Sequence, residues 1–235
     1  MRRLYTRFSV WQRVQHGLVI VLFTALCVTG LPQKFFESGW AIWLVELFGG
    51  IDRTRWLHRA TGILFTGLLV AHVAVEGVKL FRGRGSLSMI PHRRDFTDAI
   101  LTLRYYLGLS DRQARFDRFD YKQKFEYWGL VLGSLVVVGT GLVLLYPVHV
   151  TQWLPGVVVP VAMVAHSNEG LLAFLTIITW HVYSAVLAPE VFPLDTTMFT
   201  GTISEERMRH EHPLEWERLH ARGEAGVPEG EVTDT

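Results

Sequence analysis

Residues 57–72 read LHRATGILFTGLLVAH, and residues 166–181 read HSNEGLLAFLTIITWH. Each is an apolar run closed at both ends by histidine, and each lies inside a longer stretch poor in charge. Crossing about 30 Å of hydrocarbon takes ~20 apolar residues at 1.5 Å per residue. Working outward from these two runs, four segments reach that length: about 14–31, 56–81, 127–146 and 157–187. The first stops at Pro32 and the fourth before Pro189. The expected fold class is an all-α membrane protein, a four-helix transmembrane bundle. Composition agrees, with 49% hydrophobic and 19% charged residues. The start MRRLYTR resembles a signal peptide, but the apolar run after it is too long and no small-residue cleavage site follows. It reads as a retained first helix.

Composition also excludes several chemistries. A formal net charge of +1 leaves no broad basic face, so no nucleic-acid partner is expected. The single cysteine, Cys27, lies within an apolar run. It rules out an intramolecular disulfide, a Cys-x-x-Cys-His haem attachment, a four-Cys iron–sulfur cluster and a multi-Cys zinc site. Neither a Walker A loop nor a Gly-x-Gly-x-x-Gly fingerprint is present.

The basic residues set the expected orientation. Arg2, Arg3, Arg7 and Arg13 precede the first span, and residues 82–124 between the second and third carry ten Lys and Arg. The connection between the first and second spans has only Lys34, Arg53 and Arg55, and residues 147–155 have none. Both termini and the middle connection are therefore expected on the cytoplasmic side. The middle connection, with DRFDYKQKFEYW at 117–128, reads as one or two surface helices, solvated or facing lipid headgroups. The expected division is a four-helix domain over 1–203 and a solvated cytoplasmic tail over 204–235 with a disordered end. His210-Glu211-His212 in that tail lacks the His-Glu-x-x-His spacing that places two ligands on one helical face.

Ionisable residues inside a membrane are costly and mark function by default. His58 and His72 lie in the second span, His166 and His181 in the fourth, and His16 at the inner end of the first. At ~100° per residue, the two spacings return each pair to within ~40–60° of one helix face. The second and fourth spans run in the same direction, so His58 shares an outer level with His166, and His72 an inner level with His181. Two facing imidazoles can hold the iron of a haem b, and two such levels make two stacked haems. Gly62 and Gly170 each follow a histidine by four residues and leave room for a flat macrocycle. Arg59, with Arg55, flanks His58 and suits either a haem propionate or a lipid phosphate. Gly129 and Gly133 read more plainly as a small-xxx-small packing face. A lone buried histidine is usually an interhelical hydrogen bond, and four at matched depths argue otherwise. Zinc would want three or four ligands at one level, and only the inner level reaches three, by adding His16.

These residues resemble the four-helix membrane cytochrome b subunits of bacterial respiratory complexes. That group includes the formate dehydrogenase gamma subunit and the b-type cytochromes of nickel–iron hydrogenase and thiosulfate reductase. The matching stretches are RFSVWQRVQHGLVIVLFTALCVTGLP, LHRATGILFTGLLVAH and HSNEGLLAFLTIITWHVYSAVLAPEVFPLDTTMFTG, with EHPLEW at 211–216. The third span matches only in general character. The resemblance implies a dihaem subunit of a bacterial inner membrane protein. Such a subunit passes electrons between the quinone pool and a partner, an iron–sulfur or multihaem subunit with its catalytic subunit. It also implies that the histidine of the first helix, His16, is a haem ligand paired with His181. Depth instead favours His72 with His181, so five histidines compete for four places. The fifth is left to border a quinone site or to ligate a third haem.

No residue of the chain is assigned a catalytic role, and nothing in it is suited to binding formate, hydrogen or thiosulfate. Exchange with quinone needs proton carriers near the inner level, where His16 and Glu76 lie. A second reading is a stand-alone dihaem membrane oxidoreductase of the superoxide- or ferric-reducing type, active without a partner. A third is a haem-free transport or assembly protein, which would lack a visible absorption band.

Overall fold

The computed structural model of the chain describes residues 3–189, 191–224 and 226–228. In chain order the helices are α1 (Val10–Lys34), α2 (Gly39–Leu47), α3 (Ile51–Phe81), α4 (Arg93–Tyr106), α5 (Tyr121–Leu145) and the single turn α6 (Pro147–Val150). There follow α7 (Val158–Leu187), α8 (Thr197–Thr200), α9 (Glu205–Glu211) and α10 (Pro213–Ala221). Strands β1 (Arg3–Thr6), β2 (Thr202–Ser204) and β3 (Val227–Pro228) form one antiparallel sheet in the order β2-β1-β3. Helices α1, α3, α5 and α7 are long and apolar enough to cross a membrane. The chain is a multi-pass membrane protein built on helices.

Helices α1, α3 and α5 start four to six residues before their apolar runs, and α1 also ends three residues beyond its own. Helix α1 begins at Val10 rather than 14, because Ser9 caps it: Ser9 Oγ accepts from the Gln12 N–H at 3.3 Å, and the Ser9 N–H donates in return to Gln12 Oε1 at 3.0 Å. It also runs past Pro32. Proline removes one helical donor, the one that would reach the Val28 carbonyl, and the coil continues beyond it, the Phe35 N–H donating to the Leu31 carbonyl at 2.9 Å. Helix α2 was not anticipated. It is a short apolar helix, GWAIWLVEL, ended by Gly49 and Gly50 at φ of 86° and 102°, values that glycine adopts without strain. The Gly50 N–H closes it by donating to the Val45 carbonyl at 2.9 Å. Helix α5 begins at Tyr121, so most of DRFDYKQKFEYW is the first turns of a span rather than a separate surface helix.

Helix α7 is α-helical over Val158–Thr176, then π-helical over Ile177–His181 and Tyr183–Leu187. Bonding from i to i+5 widens the coil, so residues beyond 176 leave the ~100° register of an ordinary helix. His181 is the last residue of the first π stretch.

The described residues fall into two units. One comprises Gln15–Arg82 and Gly129–Leu194, which hold most of the spanning length. The other gathers residues up to Val14, Gly83–Trp128 and the part from Asp195 onward. In this second unit Tyr5, Ile203 and Met208 make a small core, flanked by Trp216 and Leu219. Its polar centre is buried as well. The Arg7 guanidinium bonds Glu215, the Arg118 carbonyl and His212 Nε2, the last at 2.9 Å. Arg118 returns the contact, donating to Glu215 at 2.9 Å and to the Arg7 carbonyl at 2.7 Å. His212 Nδ1 lies 2.8 Å from the Asp117 carbonyl. Burial, then the neighbouring Arg7 charge, push the His212 pKa down to about 4. Burial outweighs Glu215 at Arg7, whose pKa falls to about 10.

The segment from Ser204 is therefore not the solvated tail expected from sequence. His212 and Glu215 are 4% and 2% exposed because they complete a network whose other members come from residues 7 and 118. The expected boundary at 203/204 falls within β2, which pairs Ser204 with Leu4. The expected disordered end, from 229, lies outside the described residues. His212 of the His-Glu-His triplet is spent on hydrogen bonds, and among the described residues no three metal-ligating side chains converge anywhere.

Candidate functional site

All five intramembrane histidines belong to the unit built from Gln15–Arg82 and Gly129–Leu194. His58 on α3 faces His166 on α7, with ring centroids 6.1 Å apart and planes near perpendicular at 84°. His16 on α1 faces His181 on α7, also at 6.1 Å, with planes at 60°. This spacing is informative. Rings so far apart do not hydrogen-bond directly. Two metal–nitrogen bonds of about 2 Å in line, plus about 1 Å from each nitrogen to its ring centre, give roughly 6 Å. Each pair is thus set at the separation of two imidazoles sharing one metal ion between them.

The outer pair is held by matched hydrogen bonds. His58 Nδ1 lies 3.0 Å from Thr29 Oγ1, and the Leu26 backbone also bonds the ring. His166 Nδ1 lies 3.2 Å from Thr140 Oγ1 and 2.9 Å from the Val137 carbonyl. In both cases a threonine and the backbone three residues before it bond the ring. A carbonyl acceptor at Nδ1 fixes the tautomer with the proton there, which leaves the Nε2 lone pair for a metal. The residue after each threonine is glycine, and both glycines are required by close approach. A Cβ on Gly30 would stand 2.9 Å from His58 Cε1, and one on Gly141 3.1 Å from His166 Cε1. These four residues were missed in the sequence reading. Their signal was there, as Thr29-Gly30-Leu31 in the first span and Thr140-Gly141-Leu142 in the third.

The inner pair differs from the depth-based expectation. His181 has His16 as its ring neighbour, and His72 Nδ1 instead lies 3.3 Å from Gln15 Oε1. Two features account for it. Helix α1 starts at Val10, which carries His16 about 9 Å into the helix rather than leaving it at the edge. The π turns before His181 rotate it off the face that the regular period assigned to it. Gln15 is 7% exposed, and its Nε2 has no hydrogen-bond partner among the described residues.

The remaining expected residues are placed as follows. A Cβ on Gly170 would meet nothing within 4 Å, and one on Gly62 only Leu26 Cδ2 at 3.9 Å, so both leave open space one turn from a histidine. Arg59 is exposed on α3 beside His58. Gly133 is more than a packing residue: its missing side chain makes room for Glu169, whose Oε1 would lie 2.7 Å from a Cβ there. Lys34 at the end of α1 donates to Asn168 Oδ1 on α7 at 2.7 Å, two residues beyond His166. Two imidazoles per level, with no third ligand among the described residues, fit a macrocycle that supplies the other four donors and do not fit zinc.

Known proteins point the same way. Over 224 residues, the chain is 23% identical to the nitrate-inducible formate dehydrogenase cytochrome b556(Fdn) subunit of Escherichia coli strain K12. That match covers 95% of this chain and 94% of the relative. It is 24% identical over 173 residues to the formate dehydrogenase cytochrome b556 subunit of Haemophilus influenzae, covering 74% of this chain and 67% of the relative. Residues 7–201 match the prokaryotic cytochrome b561 family, which embraces every histidine of the two facing pairs and implies haem b. The chain belongs to the prokaryotic cytochrome b561 family and is a cytochrome b-type membrane subunit related to formate dehydrogenase cytochromes b.

Proposed function

We propose that this chain is a dihaem b-type cytochrome of the bacterial inner membrane, linking the redox centres of a respiratory complex to the quinone pool. The observation that carries the reading is the repetition of one geometry: His58 with His166, and His16 with His181, each at 6.1 Å. When bound, haem supplies one-electron chemistry at a potential set by its axial ligands, burial and hydrogen bonds. His58 and His166 would hold the outer haem, and His16 and His181 the inner one. Thr29, Thr140 and the Val137 carbonyl orient the outer rings and raise their basicity. Arg59, exposed one residue after His58, would meet a propionate.

His72 then takes no axial position. It stands with Gln15, and Glu76 follows it by one turn on α3, paired with Lys79 at 2.6 Å. His72 and Glu76 are the proton-carrying side chains there, and they serve a quinone. The basic stretches before α1 and between α3 and α5 put both termini and the middle connection on the cytoplasmic side. The relatives are named as subunits of formate dehydrogenases, which suggests a catalytic subunit and an iron–sulfur or multihaem subunit as partners.

The test is the response of the chromophore in membranes containing the full chain. Addition of a naphthoquinol is expected to reduce the b-type absorption, and the matching quinone to reoxidise it. A chromophore reduced by dithionite yet indifferent to quinols and quinones of both ring types would contradict the quinone link.

A further inference from the structure

Helix α4 exposes a regular apolar stripe. Phe96, Ile100, Leu103 and the cap residue Leu107 follow one another at intervals of four, three and four. At ~100° per residue they fall within ~60° of one line along the helix. They are nevertheless exposed, at 70%, 60%, 58% and 62%. An apolar stripe of this regularity on a water-facing helix would ordinarily be its core face. Here the core face is the polar one. Thr102 is 6% exposed, and Asp95 accepts from Lys124 Nζ at 2.8 Å.

The chain itself says what lies beside the stripe. Helix α4 is tethered between two spanning helices, by residues 82–92 from the end of α3 and by 107–120 to the start of α5. It is also pinned to the first turns of α5. Lys124 holds Asp95, and Trp128 Nε1 donates to the Met89 carbonyl at 2.9 Å, just before α4. Tyr121, Tyr127 and Trp128 are the aromatic residues expected where a span meets the headgroups. Arg93 and Arg104 lie about 60–80° to one side of the stripe, both exposed, where they meet anionic phosphate.

We infer that α4 lies in the membrane surface, its Phe96–Ile100–Leu103–Leu107 stripe in the headgroup–acyl boundary and Arg93 and Arg104 on lipid phosphates. The leaflet is the one in which α3 ends and α5 begins. This placement depends on the spans and not on haem or quinone.

Spin labels test it on the full chain, in a Cys27→Ser background, in nanodiscs containing phosphatidylglycerol. Labels at Phe96→Cys, Ile100→Cys and Leu103→Cys are expected to be relaxed by oxygen several-fold more than by a water-soluble nickel chelate. Labels at Arg94→Cys and Thr97→Cys should show the reverse preference. All substituted side chains are exposed, so folding is not at stake. Equal relaxation by the nickel chelate on both faces would overturn the proposal in favour of a solvated helix. Protection of the stripe from both reagents would overturn it in favour of a protein partner or second copy. Exchanging phosphatidylglycerol for phosphatidylcholine, or introducing Arg93→Gln with Arg104→Gln, should move the stripe labels measurably toward water. Depths unchanged by either would remove the phosphate contact from the account.

Discussion

His16 faces His181 across 6.1 Å, while His72, the residue that depth alone would pair with His181, is bonded to Gln15. The arrangement divides the five intramembrane histidines into two facing pairs and one polar neighbour of Gln15. Replacing His16 by leucine is therefore expected to remove one of two haems per chain. His72→Leu should keep both and slow exchange with quinol instead. Pyridine haemochrome assay of the two purified variants checks this; loss of a haem in His72→Leu with retention in His16→Leu would reverse the assignment.

The Thr-Gly pairs give a finer prediction. Alanine at Gly30 puts a methyl 2.9 Å from the His58 ring, and alanine at Gly141 puts one 3.1 Å from His166. Gly30→Ala should disturb the outer haem more than Gly141→Ala, seen as a broadened or shifted low-spin resonance. Thr29→Val and Thr140→Val each remove a side chain that bonds a histidine ring, and each leaves that ring its backbone partner, Leu26 or Val137. Both should weaken haem retention to a similar extent, within the ~10–100-fold typical of a lost hydrogen bond to a ligand. Haem loss to apomyoglobin measures it.

Much of this was legible in the sequence. Apolar run length gave the four spans, since the hydrocarbon thickness leaves little freedom. The facing of His58 and His166 was legible because both lie in regular α-helix. The inner pair was not, because period arithmetic fails through the π turns that end at His181 and because α1 starts earlier than its apolar run. The Thr-Gly partners escaped notice because their role depends on which helices meet. The burial of His212 and Glu215 was hidden for a similar reason: Glu215 reads as a surface charge until Arg7 and Arg118, about a hundred and more residues away, are brought to it.

That buried network carries its own prediction. Arg7 and Glu215 are 3% and 2% exposed; removing Glu215 leaves the Arg7 charge buried without its carboxylate, and removing Arg7 leaves Glu215 only the partly exposed Arg118. Arg7→Met or Glu215→Ala should destabilise the packing of β1, α9 and α10 by roughly 3–5 kcal/mol. Limited proteolysis within residues 204–224 reads the effect. Cleavage no faster than in the wild type would contradict it.

The same region should respond to acid. His212 has a folded pKa of about 4 against an ordinary value of 6.5. Its burial disfavours the proton that the unfolded chain takes up, so stability is lost as pH falls below 6.5 and the loss levels off near 4. The full cost is on the order of 3 kcal/mol. Trp216 stacks on His220 beside this network and offers a fluorescence signal. A His212→Gln variant should lose most of the dependence between pH 6.5 and 4; an unaltered profile would place the acid response elsewhere.

The central claim is that two pairs of facing histidines hold two haems. The most direct measurement is haem b per polypeptide in the purified full chain, by pyridine haemochrome, alongside a dithionite-reduced minus oxidised spectrum. The account predicts two b-type haems with low-spin, bis-imidazole spectra. A folded chain produced with ample haem that binds none, or only one, would contradict it.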